Sequence, residues 1–166
     1  MLKIFGTDGI RCKVNEEPMT PDTCLKIAKT AGYFLSNKKI KKNRVVISKD
    51  TRLSGYEFEP LMTSGFISMG MDVVLVGPLP TPALPILIDS LKADIGVMIT
   101  ASHNTYQYNG LKFFDSKGNK ISRKLERKIE NYVLDKKKYS TILPKNINTG
   151  KAVRLKEAND IYSKFL

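Results

Sequence analysis

Apolar positions along this chain alternate between two periods. Behind Thr20-Pro21-Asp22-Thr23, where a threonine can cap and a proline fixes the first turn, Cys24, Leu25, Ala28, Ala31, Gly32 and Leu35 recur at helical spacing. This predicts a helix over about 21 to 36. Val45-Val46-Ile47-Ser48 is a short β-branched run that reads as a strand, and it empties into the polar loop Lys49-Asp50-Thr51-Arg52-Leu53-Ser54-Gly55. A helix over about 55 to 69 follows, closed by Gly70, and Asp72-Val73-Val74-Leu75-Val76 is the next strand. Gly77-Pro78-Leu79-Pro80-Thr81-Pro82 then forces an extended turn before a helix over about 82 to 91, and Asp94 to Ile99 gives a further strand.

Strands and helices alternating at this spacing predict βαβ units with parallel pairing and helices on both faces. The expected fold is α/β, a three-layer α/β/α arrangement around a mixed, mainly parallel sheet. The mixed character comes from an antiparallel excursion in which Lys112-Phe113-Phe114 and Lys120-Ile121 flank Asp115-Ser116-Lys117-Gly118-Asn119. Asn109-Gly110 reads as a tight turn leading into the first of these segments. Ser122 caps a helix through about Leu134. The stretch Asp115 to Glu126 has the length of a calcium loop, but Lys117 stands at its third position and Lys120 where glycine is needed, which excludes calcium. Past Pro144 periodicity is weak until a helix begins near Glu157, whose Ile161, Tyr162, Phe165 and Leu166 have no evident partner. The expected organisation is one domain over 1–155 and the start of a linker helix over 156–166, as though the chain were cut short.

Composition narrows the classes. With 166 residues, 42% hydrophobic and 27% charged, the chain fits a single globular domain able to bury about 70% of its unfolded surface. Cys12 and Cys24, twelve positions apart, match no zinc spacing and no disulfide framework, so a reducing cytoplasm is the expected compartment. The N-terminal residues lack the features of a secretory signal, and no apolar window reaches the ~18 residues a membrane span requires. The net charge of +12 raises the question of an anionic partner. Its lysines gather at 38–44, 123–128 and 136–138, in runs with few aromatic residues, so solvated surface is the reading and nucleic acid is a distant second class of partner.

Candidate chemistry begins at Thr100-Ala101-Ser102-His103-Asn104, which follows directly on the apolar run Ile95-Gly96-Val97-Met98-Ile99. A hydroxyl, an imidazole and an amide thus stand beyond the end of a buried strand, where α/β proteins carry their active groups. Lys112 adds an ammonium on the next strand. Read alone, Ser102 could be a turn serine, Lys112 could point to solvent, and Arg11 could pair with Asp8 or Asp50 or meet a phosphate directly.

Four segments occur in order: Phe5-Gly6-Thr7-Asp8-Gly9-Ile10-Arg11, the 49–55 loop, Gly77-Pro78-Leu79-Pro80-Thr81-Pro82-Ala83, and Ala101-Ser102-His103-Asn104. Together they resemble the first domain of the α-D-phosphohexomutases, with wording most similar to the phosphoglucosamine mutases, over about residues 3 to 155. The resemblance implies that Ser102 carries a phosphoryl group and exchanges it with a sugar monophosphate, interconverting glucosamine 6-phosphate and glucosamine 1-phosphate on the route to UDP-N-acetylglucosamine. Arg11, Lys112 and Mg²⁺ would offset the charge. His103 and Lys112 would move the proton of the sugar hydroxyl, while Asn104, Asn109, Asp50 and Arg52 would shape the loop. Mg²⁺ would take only the phosphate oxygen on Ser102 from this chain, since no Asp-x-Asp-x-Asp run is present.

Three positions depart from the family pattern: Cys12 replaces a glycine after Arg11, and Thr105 and Tyr108 replace a proline and an acid in the serine loop. The family resemblance further implies partners in domains II to IV, or self-association, and an isolated chain that does not turn over. The alternatives are a non-catalytic piece or subunit completed by a separately encoded remainder, and phosphomannomutase or phosphoglucomutase specificity.

Overall fold

Val45 to Ile47 and Ile95 to Ile99 are apolar at successive positions because both faces of their strands are covered, the pattern of strands inside a parallel sheet. The computed structural model describes residues 1–166. Its six strands are β1 (Ile10–Lys13), β2 (Arg44–Lys49), β3 (Asp72–Pro78), β4 (Ile95–Ile99), β5 (Tyr108–Phe114) and β6 (Ala152–Arg154). They form one sheet in the order β1-β5-β4-β2-β3-β6. The four strands β4, β2, β3 and β6 run parallel, while β5 is antiparallel to both β4 and β1, so the sheet is mixed and mainly parallel.

The helices are α1 (Pro21–Leu35), α2 (Gly55–Ser68), α3 (Ala83–Ser90), α4 (Arg123–Leu134), α5 (Lys136–Ile142) and α6 (Ala158–Phe165). Thr20 and Ser122 cap α1 and α4 by accepting from the N–H groups of Thr23 and Leu125. Helices α1, α2 and α4 bury Ile27, Phe58, Met62, Phe66 and Ile129 against Val45, Ile47, Val97 and Phe113 in the larger of two cores. Helices α3 and α6 close the other face over Val46, Val74 and Met98. Each fully buried Phe, Met or Ile there contributes about 1.5–3 kcal/mol of transfer free energy. No helix is long and apolar enough to cross a membrane.

Three expectations are corrected. Asn109-Gly110 is not a turn but lies inside β5, because Gly110 faces Arg11 across the β1–β5 ladder, where a Cβ would sit 2.2 Å from the Ile10 carbonyl oxygen. A glycine required by close backbone approach carries the same local signature as a hairpin glycine. The segment Phe5 to Arg11, which the sequence reading assigns to no strand or helix, runs into β1 at Ile10 and Arg11. Lys120 makes only an isolated bridge to Phe114, so the expected returning strand is absent. Helix α5 and the three-residue β6 were also not anticipated. The first begins at a lysine triplet capped by Asp135, and the second is an exposed edge too short to show alternation.

Two measurements follow from this packing. Gly110→Ala is expected to cost about 3 kcal/mol in urea denaturation, since overpacked backbone must move. Burial pushes the Cys24 thiol up to about 12, helped by the charges of Glu57 and Glu17, while Cys12 is half-buried. A disulfide reagent near pH 8 is therefore expected to titrate one thiol per native chain and two in denaturant.

Candidate active site

The parallel strands end together at one edge of the sheet, and the crossover from β3 through α3 to β4 places β2 and β4 side by side there. Helix α2 leaves β2 on one face, while β4 runs out through the 100–107 loop into antiparallel β5, so polar loops from both strands meet beyond their carboxyl ends. Pairing continues one step past β2, where the Asp50 N–H donates to Ile99 O at 3.0 Å, so Asp50 stands beside Thr100. Its carboxylate accepts from Thr100 Oγ1 at 2.8 Å and from Arg52 Nε at 2.9 Å. Thr100 Oγ1 in turn accepts the Ser102 N–H at 3.0 Å. A chain of two short contacts therefore connects Asp50, just past the end of β2, to the backbone of Ser102.

Arg52 does the rest of the loop's tethering. Its Nη2 donates to the carbonyls of Ser102 and Asn104 at 2.8 Å each, and its Nη1 to those of Thr105 and Tyr108 at 2.6 and 3.2 Å. The planar fork spans carbonyls that a loop without secondary structure would leave to water. Held in this way, Ser102 adopts φ 55°, a left-handed conformation that costs a non-glycine residue about 1–2 kcal/mol. The serine side is exposed, as is His103, whose imidazole engages no hydrogen bond or ion pair of the chain. Such strain persists only where surroundings over-determine it, and it concentrates at sites with a task.

Facing this loop is a charge network from the N-terminal segment. Gly9, at φ 79°, brings the chain so close to β5 that a Cβ would lie 2.5 Å from Leu111 O, and this sets Asp8 beside Lys112. Asp8 Oδ2 is 2.9 Å from Lys112 Nζ and 3.1 Å from Arg11 Nη2. Arg11 Nη1 also donates to Asn104 Oδ1 at 2.9 Å, tying this network to the serine loop. The hydrogen bond from Lys112 holds the Asp8 carboxyl below the usual value near 3.8; partial burial opposes this, and the charges of Lys112, Arg11 and Lys120 reinforce it. The bridge therefore adds its stabilisation above about pH 3.8 and loses it as pH falls through the lower folded-state value.

Of the residues singled out from sequence, the structure draws Arg11, Asn104, Lys112, Asp50 and Arg52 into contacts around the 100–108 loop. Arg11 pairs with Asp8 and not with Asp50, and Lys112 is 14% exposed and turned to Asp8 instead of to solvent. Asn109 is fully buried, donating to Ser54 Oγ at 2.8 Å and accepting from the Gly110 N–H, so it braces β5 against the start of α2. Sequence reading gave no separate weight to Thr100, whose hydroxyl links Asp50 to Ser102, nor to Lys120 and Arg123, which donate to Thr7 O and Gly6 O at 2.6 Å each. Thr100 had a detectable signal as the first polar residue past β4. The two cations had none, being part of a surface run. For Mg²⁺ the residues of this chain do not fit: no three His, Cys, Asp or Glu side chains converge, and Asp8 and Asp50 are both committed to cations.

Replacing Arg52 with lysine keeps the charge but not the fork. Arg52→Lys is expected to lower stability by about 2–4 kcal/mol and to speed amide exchange selectively in residues 102–108, read by hydrogen-exchange NMR.

Comparisons with known proteins bear on the fold and the family. The chain is 51% identical over 163 residues to the phosphoglucosamine mutase of Rhodospirillum rubrum, covering 98% of this chain and 35% of that protein. It is 44% identical over 165 residues to the phosphoglucosamine mutase of Thermodesulfovibrio yellowstonii, covering 99% and 36%. It thus spans about a third of the length of the curated relatives it matches. In fold it superposes with TM-score 0.77 on a phosphoglucomutase/phosphomannomutase family protein from Burkholderia thailandensis, at 24% identity over 96% of this chain and 35% of the other. Residues 2–140 match the model of phosphoglucomutase/phosphomannomutase alpha/beta/alpha domain I, and the chain belongs to that family.

Proposed function

We propose that this chain supplies the phosphoserine loop of a phosphoglucosamine mutase, with Ser102 Oγ as the atom that holds and releases the phosphoryl group. The observation that carries the reading is the exposed Ser102 held at φ 55° by Arg52 and Thr100, within a loop tied through Asn104 to the Arg11–Asp8–Lys112 network. A preorganised nucleophile beside fixed positive charge is what phosphoryl transfer requires, because the transition state spreads negative charge over oxygens in line with attack. In the forward step the bond from Ser102 Oγ to phosphorus breaks as the sugar hydroxyl oxygen bonds to phosphorus. The hydroxyl proton passes to His103, the sole imidazole of the chain, and Lys112 and Arg11 offset the charge left on Ser102. The reverse transfer from the other position of the sugar bisphosphate regenerates the phosphoserine.

Glucosamine phosphate as substrate is supported by the names of the relatives that are 51% and 44% identical, whereas phosphomannomutase or phosphoglucomutase specificity is the alternative that the wider family offers. Domains equivalent to the remaining two thirds of the relatives' length, on the same or a separate polypeptide, supply the other contacts to sugar and phosphate, and with them Mg²⁺. Without them the 166-residue chain is expected to show no sustained turnover.

The chain incubated with glucosamine 1,6-bisphosphate and the complementary domains of the Rhodospirillum rubrum relative is expected to gain about 80 Da, mapped to Ser102. Ser102→Ala is expected to abolish both this label and conversion of the 6-phosphate to the 1-phosphate. A label on another residue, or conversion unchanged in the alanine variant, would refute the assignment.

A further inference from the structure

Helix α4 turns two glutamates inward, where its amphipathic pattern calls for apolar residues. Glu126 and Glu130, one helical turn apart, are 1% and 5% exposed. Glu130 has no cation within salt-bridge distance. Its Oε1 accepts the Lys3 N–H at 2.5 Å and its Oε2 accepts those of Ile4 and Phe5 at 2.8 and 3.1 Å. Three main-chain donors on one buried carboxylate replace the water it has lost. Glu126 works through intermediaries: Arg123 Nη1 lies 2.7 Å from its Oε2 and Lys120 Nζ 3.6 Å from its Oε1. Those same two cations reach Gly6 O and Thr7 O.

Residues 3 to 7 are thus gripped one after another along the backbone, and the next residue is Asp8. The turn that carries Asp8 is closed by a single bond, Gly6 N–H to Gly9 O at 2.8 Å, and the Asp8 side chain is 56% exposed, so no wall of packed atoms places it. Its position is fixed from its two ends: by the β1 ladder after it and by the two glutamates before it.

We infer that Glu126 and Glu130 are positioning residues, which register segment 3–7 against α4 and thereby deliver the Asp8 carboxylate between Lys112 and Arg11. That this serves phosphoryl transfer rests on the function proposed above. The positioning itself is read on Asp8 and stands or falls without it.

The test uses the full 166-residue chain as wild type, Glu130→Gln, Glu126→Gln and Arg123→Met, the last at a side chain 46% exposed. Carboxyl-detected NMR follows the Asp8 titration, and the Lys112 ammonium resonance reports the bridge at neutral pH. In each variant the Asp8 midpoint is expected to rise toward the ordinary value near 3.8 and the Lys112 signal to be lost to solvent exchange, with β2 and β4 amides unchanged. A merely structural role would lower the melting temperature and leave Asp8 and Lys112 as in wild type. That result, in variants whose Ile4 and Phe5 amides have lost protection, overturns the inference. Should a glutamine variant not fold, Arg123→Met decides by the same two signals. Loss of Ser102 labelling with Asp8 unmoved would count against the mutase reading and not against this one.

Discussion

One guanidinium sets the geometry on which the rest of the site depends. Arg52 reaches from the end of β2 to four carbonyls of the 102–108 loop while Asp50 holds it from behind. Remove that grip and the left-handed Ser102 keeps only its N–H bond to Thr100 and the Arg11 contact to Asn104 against relaxation to an ordinary turn. Backbone strain at Ser102 and rigidity in the residues beneath it are thus one arrangement. The tether works because β2 and β4 are neighbours in the sheet though distant in sequence, so the fold's crossover is what makes the contact possible.

Charge around the site follows a similar economy of parts. Asp8 accepts from both Lys112 and Arg11, and Arg11 passes the connection on to Asn104 in the serine loop. An acidic residue at the centre of a cationic site looks counterproductive. Its effect is to fix two flexible cations in one orientation, and under the proposed function a phosphoryl group would meet charges already in place. The carboxylates of α4 stand one layer further out, holding the backbone that holds Asp8.

Much of the architecture was legible from periodicity. The alternation that marks α1, β2, α2, β3, α3 and β4 arises from burial on one or both faces, and burial dominates those segments. Reading failed where another force took over. Gly110 is a glycine for closeness to Ile10, not for a turn, and nothing local distinguishes the two. Strand β1 is short and polar because its ladder to β5, not its side chains, holds it. Glu126 and Glu130 sit among surface-like charges in sequence, yet they are buried, and only long-range partners reveal why. At the site, Ser102, Lys112 and Arg52 stood out by residue type and by resemblance. The partners that orient them could be found only once strands distant in sequence lay side by side.

The ladder between β1 and β5 joins residues about a hundred positions apart, Ile10 opposite Leu111. A chain emerging from the ribosome therefore carries the aspartate and arginine of its first loop without a docking strand until most of the polypeptide has been made, and contacts of such separation close slowly. The N-terminal portion of the proposed site, first to be translated, cannot pair until β5 has been made. Any product ending before residue 108 would leave the early motif without the strand it pairs with.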